Sequence, residues 1–228
     1  MVLSGTKSWC SLADTVSHAL VTADVPIGSS GLFSVALRGH GVHIDSARWA
    51  ARGLRDLTTS TVTFRDVPAR PVGQPGWYLE RPGFAWGGIG VAAVWFGGAA
   101  ALAAALWAAA CRRPPDQVAL LHLGACDVEL HAGWLALREA AARIDDGRAE
   151  GSAARVLAAR VRARAAHCAE EVLQRVGHAL GPGPLALDPE HSARVADLTL
   201  YVRQHHAERD LAALGASLVR PEDTEPTP

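Results

Sequence analysis

The chain has no excess of charge. Its 22 Lys and Arg stand against 23 Asp and Glu, leaving a formal net charge of -1. That balance removes the electrostatic case for nucleic acid or an anionic membrane surface as a partner. No two of its four cysteines, Cys10, Cys111, Cys126 and Cys168, form a CxxC pair. The opening residues lack the basic, apolar and cleavable succession of a secretory signal. Unpaired cysteines without a secretory segment predict free thiols in a reducing, cytoplasmic compartment. The HExxH spacing of zinc proteases, the GxSxG elbow of serine hydrolases and the Walker phosphate loop are all missing. The adjacent pairs His205-His206 and His167-Cys168 point about 100° apart on a helix. No metal site is therefore expected among the ten histidines.

Apolar residues are plentiful at 49% of the chain, enough to bury a core. The run from Phe84 to Cys111 holds no charged residue, which is long enough to cross a bilayer. Its Ala- and Gly-rich composition equally suits a central helix buried on all sides of a bundle. Within it, Gly88-Ile-Gly90-Val-Ala-Ala93 fits the GxGxxA dinucleotide fingerprint. That mechanism needs a preceding strand and an acid ~20 residues later. Pro82-Gly-Phe-Ala-Trp86 is no strand and 105–115 carries no acid, so the glycines are read as close helix packing.

Residues 1–82 read as a β domain. Alternating or β-branched runs at 18–23, 31–37 and 60–64 are separated by the turn-forming stretches 26–31 and 38–41. Beyond Pro82, helical periodicity takes over. Four helices are expected, over 84–111, 116–144, 151–180 and 189–218, with Asp188 capping the last at Pro189. The breakers between them are Pro114-Pro115, Gly147 and Gly181-Pro-Gly-Pro184. Short loops make residues 83–220 an antiparallel four-helix bundle, and the acidic, Pro-rich tail 221–228 is expected to be disordered. Arg155, Arg160, Arg162 and Arg164 read as a solvated or subunit-facing run. The whole is an α+β chain, a partial β-sandwich or barrel followed by a helical bundle.

Taken bare, Leu3-Ser-Gly-Thr-Lys-Ser-Trp9-Cys-Ser11 is a strand with a glycine turn and a buried tryptophan. It also resembles the G-x-K-x-W-I-T-N run in the middle domain of the acyl-CoA dehydrogenases, with Cys10-Ser11-Leu12 in place of Ile-Thr-Asn. Gly53-Leu-Arg55 and Ser60–Pro68 resemble the segment that closes that domain. Leu79-Glu80-Arg81-Pro82 resembles the opening of the family's long apolar helix. The resemblance extends to Arg112-Arg113, Gln117, Arg194, Asp197 and Tyr201, and it favours the buried-helix reading of 84–111 over a membrane span.

The resemblance implies FAD as cofactor and α,β-dehydrogenation of an acyl-CoA or similar thioester. An electron-transfer acceptor and self-association through the bundle follow from it. It places Trp9 against the flavin ring, the Ser11 hydroxyl beside the ring's reactive edge, and Arg112 and Arg113 toward the FAD pyrophosphate. Arg81 falls at the substrate. The family's N-terminal helical domain and first β strands have no counterpart, so the chain is expected to be a fragment, a mis-called start or a decayed copy.

Proton abstraction needs a carboxylate or imidazole at the α carbon. Glu80 stands where some branches of the family place their glutamate, and burial beside an apolar substrate is expected to raise its pKa. Other branches carry the glutamate in a Y-E-G-T segment, where this chain has His205. Flavin monooxygenases of the same fold use histidines near the flavin, a role open to His205 and His206. An ordinary polar helix face, and a non-catalytic subunit, remain as alternatives.

Overall fold

The computed structural model describes residues 1–26, 28–46 and 49–219, so the tail expected to be disordered from 221 on lies outside the described residues. The chain divides into two compact units, Met1–Arg81 and Pro82–Pro228.

The first unit is a curled antiparallel sheet. Its strands are β1 (Val2–Ser11), β2 (His18–Asp24), β3 (Ser30–Ala36), β4 (Val42–Asp45) and β5 (Thr59–Val72), followed by one helical turn, α1 (Trp77–Glu80). The order is β1-β5-β3-β2, with β4 also paired to β5. β5 is the spine. Its first part pairs with β1 and β4, and its end pairs with β3. Pro68 and Pro71 lie inside it, opposite Val2 and Phe33, so the strand runs on well past the 60–64 read from its β-branched residues.

Side chains on a strand alternate between faces, and β5 must keep apolar ones inward over its length. Ser60, Val62 and Phe64 are buried, and then Val67 and Ala69. The phase shifts by one at Asp66. There the register against β1 slips, and Asp66 takes a left-handed φ of 52°. This is a β-bulge. Ser4 holds it, donating its hydroxyl to Asp66 Oδ1 (2.8 Å) and accepting the Asp66 N–H (3.0 Å). A second slip in β1 falls between Lys7 and Cys10, where Trp9 has φ 62°. That bulge turns Trp9 outward to 79% exposure, which overturns the expectation of a buried tryptophan.

The second unit is helical: α2 (Pro82–Arg112), α3 (Gln117–Asp145), α4 (Gly151–Leu180), α5 (Pro182–Leu187), α6 (Pro189–Tyr201) and α7 (Glu208–Val219). Proline at the first position of α2 costs no hydrogen bond. α2 buries one stripe, Ile89, Ala92, Trp95, Ala99, Leu102 and Leu106, at helical spacing. The opposite face exposes Val94 and Trp107. α2 is long and apolar enough to cross a membrane by length and composition, yet only 33% of its most apolar stretch is buried. The helix is therefore not covered on all sides. Of its glycines, Gly88 lies against Arg162 and Gly98 against Leu198, while Gly87, Gly90 and Gly97 face open space. Close packing thus accounts for two of the five. α4 supplies the other half of the core with Leu157, Val161, Ala165, Ala169, Val172 and Val176.

Two expectations change here. The short helix α5 starts inside the 181–184 breaker and runs on beyond it. The expected helix over 189–218 is cut into α6 and α7 by a 3-10 turn at Val202–Gln204 and an extended His205. Asp188 does cap α6, accepting from the N–H groups of Glu190 (3.0 Å) and His191 (3.1 Å).

Trp95 is fully buried on the stripe that joins α2 to α4. Trp95→Ala is expected to cost about 3–5 kcal/mol, read as a lower urea midpoint for the helical unit by far-UV circular dichroism.

Candidate functional site

The expected site residues lie in both units, and each unit has its own local geometry. In the sheet unit, the bulge fixes Trp9 on the surface of β1. A left-handed φ is uncommon for a bulky residue, so neighbouring pairing must hold it. Two residues on, Ser11 Oγ lies 3.0 Å from Thr59 Oγ1 on β5. An outward indole and a hydroxyl thus share one end of β1.

Glu80 closes α1 and is exposed. Among the described residues its carboxylate has no hydrogen-bond or ion-pair partner. Gly76 starts this turn with φ 84°, and a Cβ there would sit 3.0 Å from Glu80 Oε1. The bare glycine therefore leaves the carboxylate its room. Arg81 stacks its guanidinium over Tyr78 (4.9 Å) and Trp77 (5.6 Å). Such cation–π contacts fix the stem of a charged group without neutralising it.

In the helical unit, His205 does not lie on a polar helix face. It is 9% exposed and sits edge-on to Trp95 at 6.3 Å. Tyr201 meets the same indole at 6.3 Å. Arg162 lies over the Trp95 ring at 4.8 Å. It donates to the carbonyls of Gly88 (3.2 Å) and Gln204 (3.1 Å). The arginine run is accordingly not all solvated: Arg155 and Arg160 are exposed, whereas Arg162 turns inward and Arg164 pairs with Glu129. His206 points outward, and its ring Nδ1 lies 3.2 Å from Asp210 Oδ1 while its backbone N–H donates to Asp210 Oδ2 (3.0 Å). His205 Nε2 is 3.8 Å from Asp210.

Burial lowers the His205 pKa and outweighs the Asp210 carboxylate, which pulls the other way. Burial alone would raise Asp210, but the two hydrogen bonds from His206 hold it below the usual carboxylate value. Two polar atoms in this cluster, His205 Nε2 and Trp95 Nε1, are buried without a hydrogen-bond partner.

Arg112 and Arg113 stand exposed at the far end of α2. Seventeen helical residues separate Arg112 from Trp95, about 25 Å at 1.5 Å per residue, so these arginines do not join the His205 cluster. Trp95, Arg162 and Asp210 escaped sequence reasoning as site components. Only Asp210, one turn beyond His206 on the same stretch, left a local signal.

No protein-family model and no curated protein matches the chain. Solved structures do. Butyryl-CoA dehydrogenase from Megasphaera elsdenii matches with a TM-score of 0.81 at 20% identity, over 96% of this chain and 60% of its own. The chain has the acyl-CoA dehydrogenase fold. Glutaryl-CoA dehydrogenase, in its glutaryl-CoA complex, shares that fold with a TM-score of 0.84 at 18% identity, over 99% and 61% of the two chains. Dibenzothiophene monooxygenase from a Paenibacillus species shares it with a TM-score of 0.76 at 19% identity, over 99% and 66%. The chain spans about 60% of the length of the first structures it matches.

A histidine whose folded pKa lies below its unfolded value binds protons preferentially in the unfolded state. The stability it protects is complete above the ordinary imidazole pKa of 6.5 and is lost as pH falls below it. Urea midpoints across pH values from about 8 to 5 should drop on the acid side, with a shallower drop in His205→Gln.

Proposed function

We propose that the chain is the core of an FAD-dependent oxidoreductase that introduces an α,β double bond into an acyl-CoA or similar thioester. The unpartnered carboxylate of Glu80, in the position that the family resemblance assigns to a catalytic base, carries this reading. The acyl-CoA dehydrogenase fold along 96–99% of the chain supports it.

The residues present suit a planar, anionic cofactor. The exposed Trp9 indole on a rigid bulge offers an apolar face for a ring to stack on, and the Ser11 hydroxyl two residues on offers a polar contact. Arg112 and Arg113, unpartnered among the described residues, offer cations for a pyrophosphate. His206 would add a polar contact at the cofactor. FAD, when bound, supplies the hydride acceptor. Glu80 takes the α proton onto its carboxylate. Because it is exposed, only bound substrate would take it out of water. Arg81, pinned over Trp77 and Tyr78, holds a cation beside it for the thioester ligand.

The outward apolar residues Val94 and Trp107 on α2 and Val128 and Trp134 on α3 support self-association, and an electron-transfer protein would reoxidise the flavin. A cytoplasmic setting accords with four cysteines free of disulfides.

One observation favours a second reading, a flavin-dependent monooxygenase. His205 is buried and its Nε2 lacks a hydrogen-bond partner, and a structure of the matching monooxygenase TdsC was solved with FMN and indole. In that reading His205 replaces Glu80 as the proton-handling group.

The test is the visible absorption of the purified chain after loading with FAD and desalting. A retained flavin band that bleaches anaerobically on adding an acyl-CoA is the expected result. Glu80→Gln should keep the band and slow the bleaching by about 100-fold or more. Unchanged bleaching in Glu80→Gln refutes its role as base, and loss of bleaching in His205→Gln alone transfers the role to the histidine. A colourless product refutes the enzymatic reading for this polypeptide.

A further inference from the structure

The break between α6 and α7 joins two helices that are held very differently. α6 is anchored by the buried Leu198, and Val202 just beyond its end is buried too. α7 packs on α4 but buries none of its residues, and Leu211 and Leu218 stand exposed. An element with few buried apolar contacts is among the first to open in a native protein.

Each side of the break is tied to its own helix. On the α6 side, the His205 N–H donates to the Val202 carbonyl (3.0 Å), and Arg162 of α4 holds the Gln204 carbonyl (3.1 Å). On the α7 side, Asp210 accepts the His206 N–H (3.0 Å), and the Leu211 N–H donates to the Ala207 carbonyl (3.1 Å). The free joint is the backbone between His205 and His206. Beside it, Ala207 has a left-handed φ of 49°. That conformation is unfavourable for a residue with a Cβ and persists only while its surroundings enforce it.

The His205 ring at this joint is walled by α2, α4 and α7. Trp95 of α2 meets it edge-on, and Tyr201 shares the same indole. α4 brings the cation of Arg162 and the carboxylate of Glu170, which is paired with Arg203 of the 3-10 turn. α7 brings Asp210, 3.8 Å from Nε2, with both its oxygens already engaged by His206. The surrounding charges are two cations and two anions, and His206 adds a third cation when it gains a proton. No net negative charge is left to offset the burial of an imidazolium, and burial keeps the ring neutral at pH 7.

We propose that the joint between His205 and His206 is an acid-operated hinge: a proton on His205 forces the ring out from beside Trp95 and swings α7 away from α4. Of the three walls, α2 and α4 are held in the core, whereas α7 buries nothing. Its first turn carries Asp210 over Nε2, so the ring reaches water when that turn lifts. The bonds between Asp210 and His206 travel with it, since both residues lie on the α7 side of the joint. The swung-out state gains population as pH falls below the ordinary imidazole value of 6.5. It uncovers the edge of Trp95 and leaves α6 in place. The hinge goes beyond the enzymatic reading and draws on no flavin or thioester contact.

The test is amide hydrogen exchange of the full chain at pH values of about 7.5 and 5.5, with the intrinsic pH dependence of exchange divided out. Protection of residues 208–219 is expected to fall at the lower pH, by up to about tenfold. Sub-denaturing urea should change that exchange little and change exchange within 157–176 steeply, because opening a hinge exposes far less surface than unfolding the unit. His205→Phe keeps an aromatic ring beside Trp95 that takes no proton, and should hold the protection of α7 equal at both pH values. Should that variant lose its circular dichroism, His205→Gln serves instead with the same expectation. His206→Gln should keep the acid response. Protection of α7 that is independent of pH in the unmodified chain overturns the proposal. So does an acid response that survives in the His205 variant or vanishes in His206→Gln, and so does an equal urea response of α7 and α4.

Discussion

A backbone N–H that leaves its ladder has to be bonded elsewhere, and the irregular points of this chain are built around that requirement. At Asp66 the slipped N–H of β5 donates to the Ser4 hydroxyl, which in turn donates to the Asp66 carboxylate. At the break between α6 and α7, Asp210 reaches back to the His206 N–H, as the acid of a capping box does. At the start of α6, Asp188 accepts two freed donors. Two irregular points place functional candidates. The β1 slip exposes Trp9, and the α6–α7 break drives His205 inward and leaves His206 outside.

In the helical unit these local solutions meet the packing of Trp95. Its indole receives the Arg162 cation on its face and Tyr201 and His205 at its edges. Arg162 then ties the first turns of α2 to the α6–α7 break through two carbonyls. A guanidinium half-withdrawn from water is costly unless its N–H groups are bonded, and here the acceptors are the carbonyls of Gly88 and Gln204. The geometry of the break is in this way coupled to the placement of α2.

Much of the fold was legible from local signals. α3 and α4 begin and end within a residue or so of the positions set by Pro114-Pro115, Gly147 and Gly181. β2 and β3 follow their alternating runs. The misreadings share a cause: each depended on a contact distant in sequence. The β-branched run 60–64 marked only the first part of β5, and only the partners opposite Pro68 and Pro71 show that the strand continues. Residues 201–207 contain no glycine or proline, so the break there has no breaker and is set by the burial of His205 against Trp95, 110 residues away in the chain. Trp9 read as a core residue until the slip against β5 turned it out. Of the candidate site, Glu80, Arg81 and Trp9 were singled out through their resemblance to family motifs, whereas the company of His205 was invisible until α2 and α4 were packed.

The one-sided burial of α2 also bears on how the chain is made. Synthesis proceeds from the N-terminus, at roughly 5–20 residues per second. The apolar stripe of α2 therefore leaves the ribosome several seconds before α4, the helix that covers most of it, is complete. Through that interval the nascent chain displays a 31-residue apolar helix with only α3 to pack against. Its outward face stays bare even afterward. Chaperone demand and production yield for this polypeptide should therefore depend on how quickly residues 151–180 follow, more than on the stability of the finished bundle.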